Sequence, residues 1–266
     1  KNIIMKQFYF LLLTGISIVS AQVQPTTSEK IEESLIAKQA MDANSLVKNI
    51  PLKNVGPSVM SGRVVDLAVN DNNPTEYYVA YASGGLWYTN NNGNTFTPVM
   101  DETQTQNLGD IAVHWQSGTI WVGTGENNSS RSSYAGIGIL KSTDKGKTWQ
   151  HMGLSDSHHI GRIVVNPDNA NEVTVGVTGH LYSPNKERGI YKTTDGGKTW
   201  KKTLFIDDNT GIIDVAVSPN NYQMQYAAAW QKDRKAWNFS GSGEGSGIYK
   251  STDAGTTWTK ISTPSS

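Results

Sequence analysis

One eight-residue segment recurs four times along this chain, and its spacing restricts the fold more than any other feature. The clearest copies are Ser142-Thr143-Asp144-Lys145-Gly146-Lys147-Thr148-Trp149, Thr193-Thr194-Asp195-Gly196-Gly197-Lys198-Thr199-Trp200 and Ser251-Thr252-Asp253-Ala254-Gly255-Thr256-Thr257-Trp258. A looser copy, Thr89 to Phe96, carries Asn91 in the aspartate position and Phe96 in the tryptophan position. Asn91, Asp144, Asp195 and Asp253 lie 53, 51 and 58 residues apart in turn. A period near fifty marks a repeat architecture, in which one supersecondary unit stacks on copies of itself.

The rest of each repeat aligns around this segment. Short apolar runs recur as Asp66 to Val69, Asp110 to Val113, Arg162 to Val165 and Asp214 to Val217. Second runs follow at Tyr77 to Tyr81, Thr119 to Gly123, Glu172 to Val177 and Gln225 to Trp230. Third runs open on a glycine at Gly85, Gly138, Gly189 and Gly247, and lead through the octapeptide into a brief fourth, such as Thr199 to Phe205. Four short strands per repeat, rich in Val, Ile, Tyr and Trp, describe the blade of a β-propeller. The fold class expected is all-β, with four blades over 52–266.

The octapeptide is expected to hold the fold together rather than to react. Its Asp or Asn side chain can accept backbone N–H bonds two residues on. The glycine two positions later takes a positive φ that other residues resist, and the closing Trp offers a large ring to bury. Asn91, Asp144, Asp195 and Asp253 are therefore read as structural turn residues.

Ahead of the repeats, residues 1–21 have the plan of a signal peptide: Met5-Lys6, an apolar run from Phe8 to Leu13 and a small-residue exit at Val19-Ser20-Ala21. The expected location is therefore secreted or cell-surface, with no membrane span. Residues 22–51 form a polar spacer and one amphipathic helix, Ser28 to Val47, capped by Ser28 with Ile36, Ala40, Ala43 and Val47 on one face. Taking the two lysines of residues 1–21 from the chain's 23 basic groups leaves 21 against 23 acidic ones. That near-neutral balance argues against nucleic acid as a partner. The chain has no cysteine, so disulfides do not stabilise it.

The octapeptide resembles the Asp-box, or bacterial neuraminidase repeat (Ser/Thr-x-Asp-x-Gly-x-Thr-Trp). Phrases such as Asn54-Val55-Gly56-Pro57, Ser83-Gly84-Gly85-Leu86-Trp87 and His158-His159-Ile160-Gly161-Arg162 are similar to exported bacterial proteins labelled glycosyl hydrolase or sortilin-like. Asp-box propellers include sialidases, xyloglucanases and sortilin-type receptors, commonly with six, seven or ten blades, so the resemblance implies that four blades are a fragment of a larger propeller. It also implies specific residues. Where xyloglucanases carry an aspartate three residues before the second glycine opening the third strand, this chain has Ala82. The Arg-Ile-Pro of sialidases is matched only by Gly62-Arg63-Val64-Val65 and Gly161-Arg162-Ile163-Val164, without the proline.

Strand counting places the octapeptides at one end of the blades and the long second-to-third and fourth-to-first loops at the other, where binding and catalysis gather. From those loops come the catalytic candidates Glu126, Glu187 and Asp156. The ligand-binding candidates are Arg131, His158, His159, His180, Arg188 and Trp237, with Arg162 on the inner-strand column. Aromatic rings beside carboxylates and amides suit sugar rings, whose faces stack while their hydroxyls hydrogen-bond. A glycoside hydrolase needs two carboxylates about the scissile bond. Adjacent His158 and His159 point apart on an extended segment, so no metal site and no cofactor is expected. The column Asp66, Asp110, Arg162, Asp214 is expected to form an ion-pair ring. The reading is a carbohydrate-engaging exported propeller, with hydrolysis as its enzymatic form. A sortilin-like module binding an extracellular peptide is the alternative, and oligomeric state is undetermined.

Overall fold

The computed structural model describes residues 24–50 and 62–262. The signal-peptide segment 1–21 and the start of the first repeat at 52–61 lie outside the described residues. Helix α1 (Ser28–Asn44) precedes four sheets. The first sheet is β1 (Val64–Val69), β2 (Tyr77–Tyr81), β3 (Gly85–Thr89) and β4 (Thr97–Pro98). The second is β5 (Leu108–His114), β6 (Thr119–Thr124), β7 (Ile139–Ser142) and β8 (Gln150–His151). The third is β9 (Ile160–Asn166), β10 (Asn169–Val177), β11 (Gly189–Thr193) and β12 (Lys201–Leu204). In the fourth, β13 (Thr210–Ser218) and β14 (Asn221–Gln231) are followed by a small hairpin, β15 (Asp233–Arg234) and β16 (Phe239–Ser240), before β17 (Gly247–Ser251) and β18 (Thr259–Lys260). Each sheet is an antiparallel meander in chain order, the hairpin standing apart. These are the four expected blades, and their inner strands β1, β5, β9 and β13 touch in sequence.

The core lies between blades. Leu86, Met100, Leu108, Ile111, Ile120 and Leu140 fill the first gap, Trp121, Ile160, Val173 and Val175 the second, and Ile190, Ile212, Val215 and Ala227 the third. A strand that faces a neighbour on both sides is apolar on both faces, which explains why β6 is buried along its whole length. Trp121 is fully buried and meets Trp200 edge to face, ring centres 6.2 Å apart.

The octapeptide turns act within and between blades. Ser142 Oγ donates to Asp144 Oδ1 at 2.8 Å and accepts the Gly146 N–H at 2.8 Å. The aspartate reaches four residues on, taking the Thr148 N–H at 2.9 Å and the Thr148 hydroxyl at 2.6 Å. This corrects the expected two-residue reach: the hydroxyl at the start of the turn does the short-range work and the carboxylate closes its far side. The same pattern holds at Asp195 and Asp253, and Asn91 keeps the backbone bond to Thr95. The tryptophans then reach the preceding blade. Trp149 Nε1 donates to Val99 O at 2.7 Å and Trp200 Nε1 to Met152 O at 2.7 Å. In the third turn Gly197 adopts φ +90°, and a Cβ there would press on the Trp121 ring at 3.0 Å.

Every inner strand carries a register shift just before its charged residue, between Val64 and Asp66, Leu108 and Asp110, Ile160 and Arg162, and Ile212 and Asp214. A bulge aims one side chain out of the ladder. Here it turns the column inward, where Arg162 Nη1 lies 2.8 Å from Asp110 and 3.5 Å from Asp66, and Nε 2.8 Å from Asp214. The expected ion-pair cluster is therefore present. Arg162 belongs to it and not to the long-loop end.

Helix α1 departs from expectation. Thr27, not Ser28, supplies the capping oxygen to Lys30 N. Ile31 alone is buried, and Ile36 is 66 % exposed. The helix is held through its first turns, where Ser155 Oγ donates to Glu32 Oε1 at 3.3 Å, while Ile36, Ala40, Ala43 and Val47 of the expected apolar face are exposed. No helix among the described residues is long and apolar enough to cross a membrane.

Candidate functional site

At the end of the blades away from the Asp-box turns, loops from three blades enclose a cleft of about 820 Å³. The β6–β7 loop contributes Ser133 and Ala135, the β8–β9 loop His158 and His159, the β10–β11 loop His180 to Ser183, and the β15–β16 hairpin Arg234 to Trp237. Gln24 and Pro25, just ahead of α1, line it too.

The floor is polar and tightly organised. The 3₁₀ turn Ser155–Ser157 is entered through Leu154 at φ +58° and left through His158 at φ +54°, ψ −40°. The His159 N–H closes back onto Ser157 O at 2.6 Å, which makes His158 the centre of a positive-φ γ-turn, a rare and strained conformation. The turn throws the two histidines to different sides. His159 Nδ1 bonds Glu126 O at 2.7 Å. His158 instead lies against His180, ring centres 3.9 Å apart. His180 Nε2 is 3.1 Å from Asp156 Oδ1, and its Nδ1 is 2.9 Å from the Ser183 hydroxyl. Asp156 Oδ1 is also 3.9 Å from His158 Nε2, an atom with no hydrogen-bond partner among the described residues. Burial, with His180 alongside, pulls the His158 imidazole down to about 4, and burial pulls His159 to about 3 and His180 below its ordinary value. All three rings are neutral at pH 7.

Behind this floor stand two buried cations, Arg188 and Lys232, that contact no carboxylate among the described residues. Arg188 is 2 % exposed and gives Nη1 to Thr178 O and Asn209 O, and Nη2 to His180 O and Ser183 O. The sequence reading makes it a ligand-binding residue; its Nη1 and Nη2 groups instead hold carbonyls and fix the His180 loop, while its buried Nε has no partner among the described residues. Lys232 donates to His180 O at 3.1 Å, and burial, with Arg188 and Arg234 nearby, lowers its ammonium to about 7. Nothing in the sequence distinguishes Lys232 from the half-buried Lys235 three residues later, because the difference arises from how the hairpin folds over it.

The expected carboxylates stand in different surroundings. Glu126 is buried; its Oε1 is held by Arg63, from Nε at 2.6 Å, while Oε2 has no partner among the described residues. Glu187 accepts a hydrogen bond from the Tyr191 hydroxyl. Asp156 alone of the three adjoins the cleft, through His158 and His180. Arg131 is exposed outside the lining, its carbonyl taking the Tyr182 hydroxyl at 2.8 Å. Trp237 stands at the cleft mouth, 83 % exposed, on a hairpin secured by Arg234 Nε to Ser129 O at 2.9 Å and by the Arg234 guanidinium over Phe239.

Comparison with known proteins agrees with this architecture. The family model described as BNR/Asp-box repeat matches residues 191–202. A xyloglucanase from a Paenibacillus species is 26 % identical over 237 residues, 79 % of this chain and 22 % of that protein. An ancestral GH74 enzyme superposes with a TM-score of 0.55 at 24 % identity, over 76 % of this chain and 26 % of its own. The GH74 enzyme of Niastella koreensis gives 0.53 at 22 % identity, over 73 % and 28 %. The chain thus spans between a fifth and a third of the length of these relatives. It is an Asp-box β-propeller, similar in fold to glycoside-hydrolase propellers.

Proposed function

We propose that this chain is part of an exported propeller that grips a carbohydrate polymer in the long-loop cleft. The observation that carries the reading is Trp237, a large ring left in solvent at the mouth of a cleft floored by neutral histidines and walled by Ser133, Tyr182, Ser183 and Arg234. An exposed ring on a braced hairpin gives a sugar face somewhere to stack, and the polar wall offers donors and acceptors for its hydroxyls. The likeness to a xyloglucanase supports a polysaccharide over a peptide and makes xyloglucan the first ligand to try.

Hydrolysis takes two carboxylates flanking the scissile bond, roughly 5–9.5 Å apart. Glu126 is clamped by Arg63, Glu187 is bonded by Tyr191, and the first-blade aspartate implied by resemblance is Ala82. Polymer binding is therefore the part of the activity assigned to these residues. Titration calorimetry against xyloglucan oligosaccharides, with a polysaccharide panel and a peptide library beside it, tests the reading. Saturable glycan binding that weakens about tenfold in Trp237→Ala, the loss of roughly 1.4 kcal/mol, is expected. Binding of peptides alone, or glycan binding indifferent to Trp237, would reject it.

A further inference from the structure

We propose that Asp156, His158 and His180 form a binding site for a divalent transition-metal ion, with Zn²⁺ the closest match and one coordination position open to the cleft. Their candidate ligand atoms all lie within 4.8 Å of one another. His180 Nε2 and His158 Nε2 approach Asp156 Oδ1 to 3.1 and 3.9 Å. A tetrahedral ion with bonds of about 2.0–2.2 Å spaces its ligand atoms by about 3.3–3.5 Å, so His180 Nε2 already stands near that spacing from Asp156 Oδ1, and metal binding would draw His158 in and open its 3.9 Å ring contact with His180.

Three further features point the same way. His158 is 8 % exposed, yet its Nε2 meets no hydrogen-bond partner among the described residues. A buried polar atom left unmet is uncommon and calls for an unseen partner. His180 turns its other nitrogen to the Ser183 hydroxyl at 2.9 Å, the outer contact that fixes a ligating ring and leaves Nε2 facing the cluster. His158 is held in place by a strained γ-turn, from a different blade connection than His180. Two imidazoles and a carboxylate suit zinc or its first-row neighbours and not the all-oxygen preference of calcium or magnesium. Because both rings line the cleft, a bound ion would present its remaining position to water or to an oxygen of a ligand lying there. Adjacent His158 and His159 point apart, but through the γ-turn at His158 and not through the extended segment expected from the sequence. The second imidazole comes instead from His180, a pairing that sequence spacing alone does not reveal.

The test is metal binding by the folded chain, and it does not depend on carbohydrate binding. The chain, stripped with chelator and desalted, is titrated with ZnCl₂ by calorimetry, and its metal content is measured by mass spectrometry. One equivalent per chain at micromolar affinity or tighter is expected, and Co²⁺ in its place should give visible d–d absorption. Asp156→Asn and His180→Ala should each weaken uptake at least tenfold, and Ser183→Ala less. Asp156→Asn is nearly isosteric, so it remains informative if a histidine variant misfolds by circular dichroism. His114→Gln, at the β5–β6 turn beside Ser117 and Pro167, and Trp237→Ala should load normally, the latter separating this site from the polymer reading. Folded wild type that takes up no stoichiometric zinc, or uptake unchanged in both Asp156→Asn and His180→Ala, would overturn the proposal.

Discussion

Replacing Arg162 by Met removes a positive charge that three inner-strand aspartates share, and the structure says which of them will suffer. Asp214 is 53 % exposed in its side chain, so its pair contributes about 0–1 kcal/mol. Asp66 is farther off, at 3.5 Å. Asp110 decides the outcome: its side chain is 1 % exposed, and burial already raises its carboxyl well above the ordinary range even with Arg162 pulling it down. Breaking a buried pair on one side costs about 3–5 kcal/mol. Protonation of Asp110 sets a ceiling, so about 3 kcal/mol is expected at pH 7. The pH dependence has a definite sign. Without Arg162 the folded-state pKa of Asp110 rises further above its unfolded value, so the deficit is largest at neutral pH and shrinks as pH falls and the carboxyl takes a proton. Asp110→Asn in the same chain removes the stranded charge while an amide oxygen can still accept the Ile163 N–H, at 2.6 Å in the wild type. The double variant should lie within about 1–1.5 kcal/mol of wild type. Urea unfolding followed by tryptophan fluorescence at pH 7 and pH 5 measures all of this. A single-variant loss below about 1 kcal/mol, or no recovery in the double variant, would refute the reasoning.

Other perturbations separate packing from site. Trp121→Ala, at a fully buried ring between the second and third blades, should cost about 3–5 kcal/mol in the same unfolding assay. Gly197→Ala should cost about 1–3 kcal/mol, since its φ of +90° strains any other residue and the new methyl meets the Trp121 ring; an unchanged midpoint would contradict the geometry. Bonds from the Thr148 hydroxyl hold the Asp144 carboxyl at about 2, those from Thr257 hold Asp253 at about 2, and those from Thr199 depress Asp195 likewise. A depressed carboxyl contributes stability that is complete above its unfolded pKa near 3.9 and lost as pH falls toward the folded value. Thermal unfolding should therefore become acid-sensitive between about pH 4 and pH 2, with a flatter slope in the triple Asp→Asn variant.

How legible these features were in the sequence follows from how local their causes are. The octapeptide carries its own hydrogen bonds within eight residues, so Asp144, Asp195 and Asp253 announce both their role and the blade that holds them. The inner strands show as runs because a blade buried on two sides needs apolar residues throughout, and the Arg162 cluster follows once the strands are aligned. The site was legible only residue by residue. His158, His180 and Asp156 each stand in a long loop of the correct end, but their meeting depends on a γ-turn and on loops from successive blades. Arg188 looks like a ligand-binding cation in sequence; its carbonyl partners, Thr178, His180, Ser183 and Asn209, lie 5 to 21 residues away and become partners only when two loops fold over it. The α1 face, by contrast, shows helical periodicity with nothing in the described residues packed along it.

Hydrogen exchange on the full chain, with and without saturating xyloglucan oligosaccharide, bears most directly on the division of the propeller into a holding end and a binding end. Protection confined to the loops around Ser133, His158, His180 and Trp237, with the Asp-box turns at 142–149, 193–200 and 251–258 unchanged, is the expected pattern. Protection centred on those turns, or spread evenly over both ends, would contradict it.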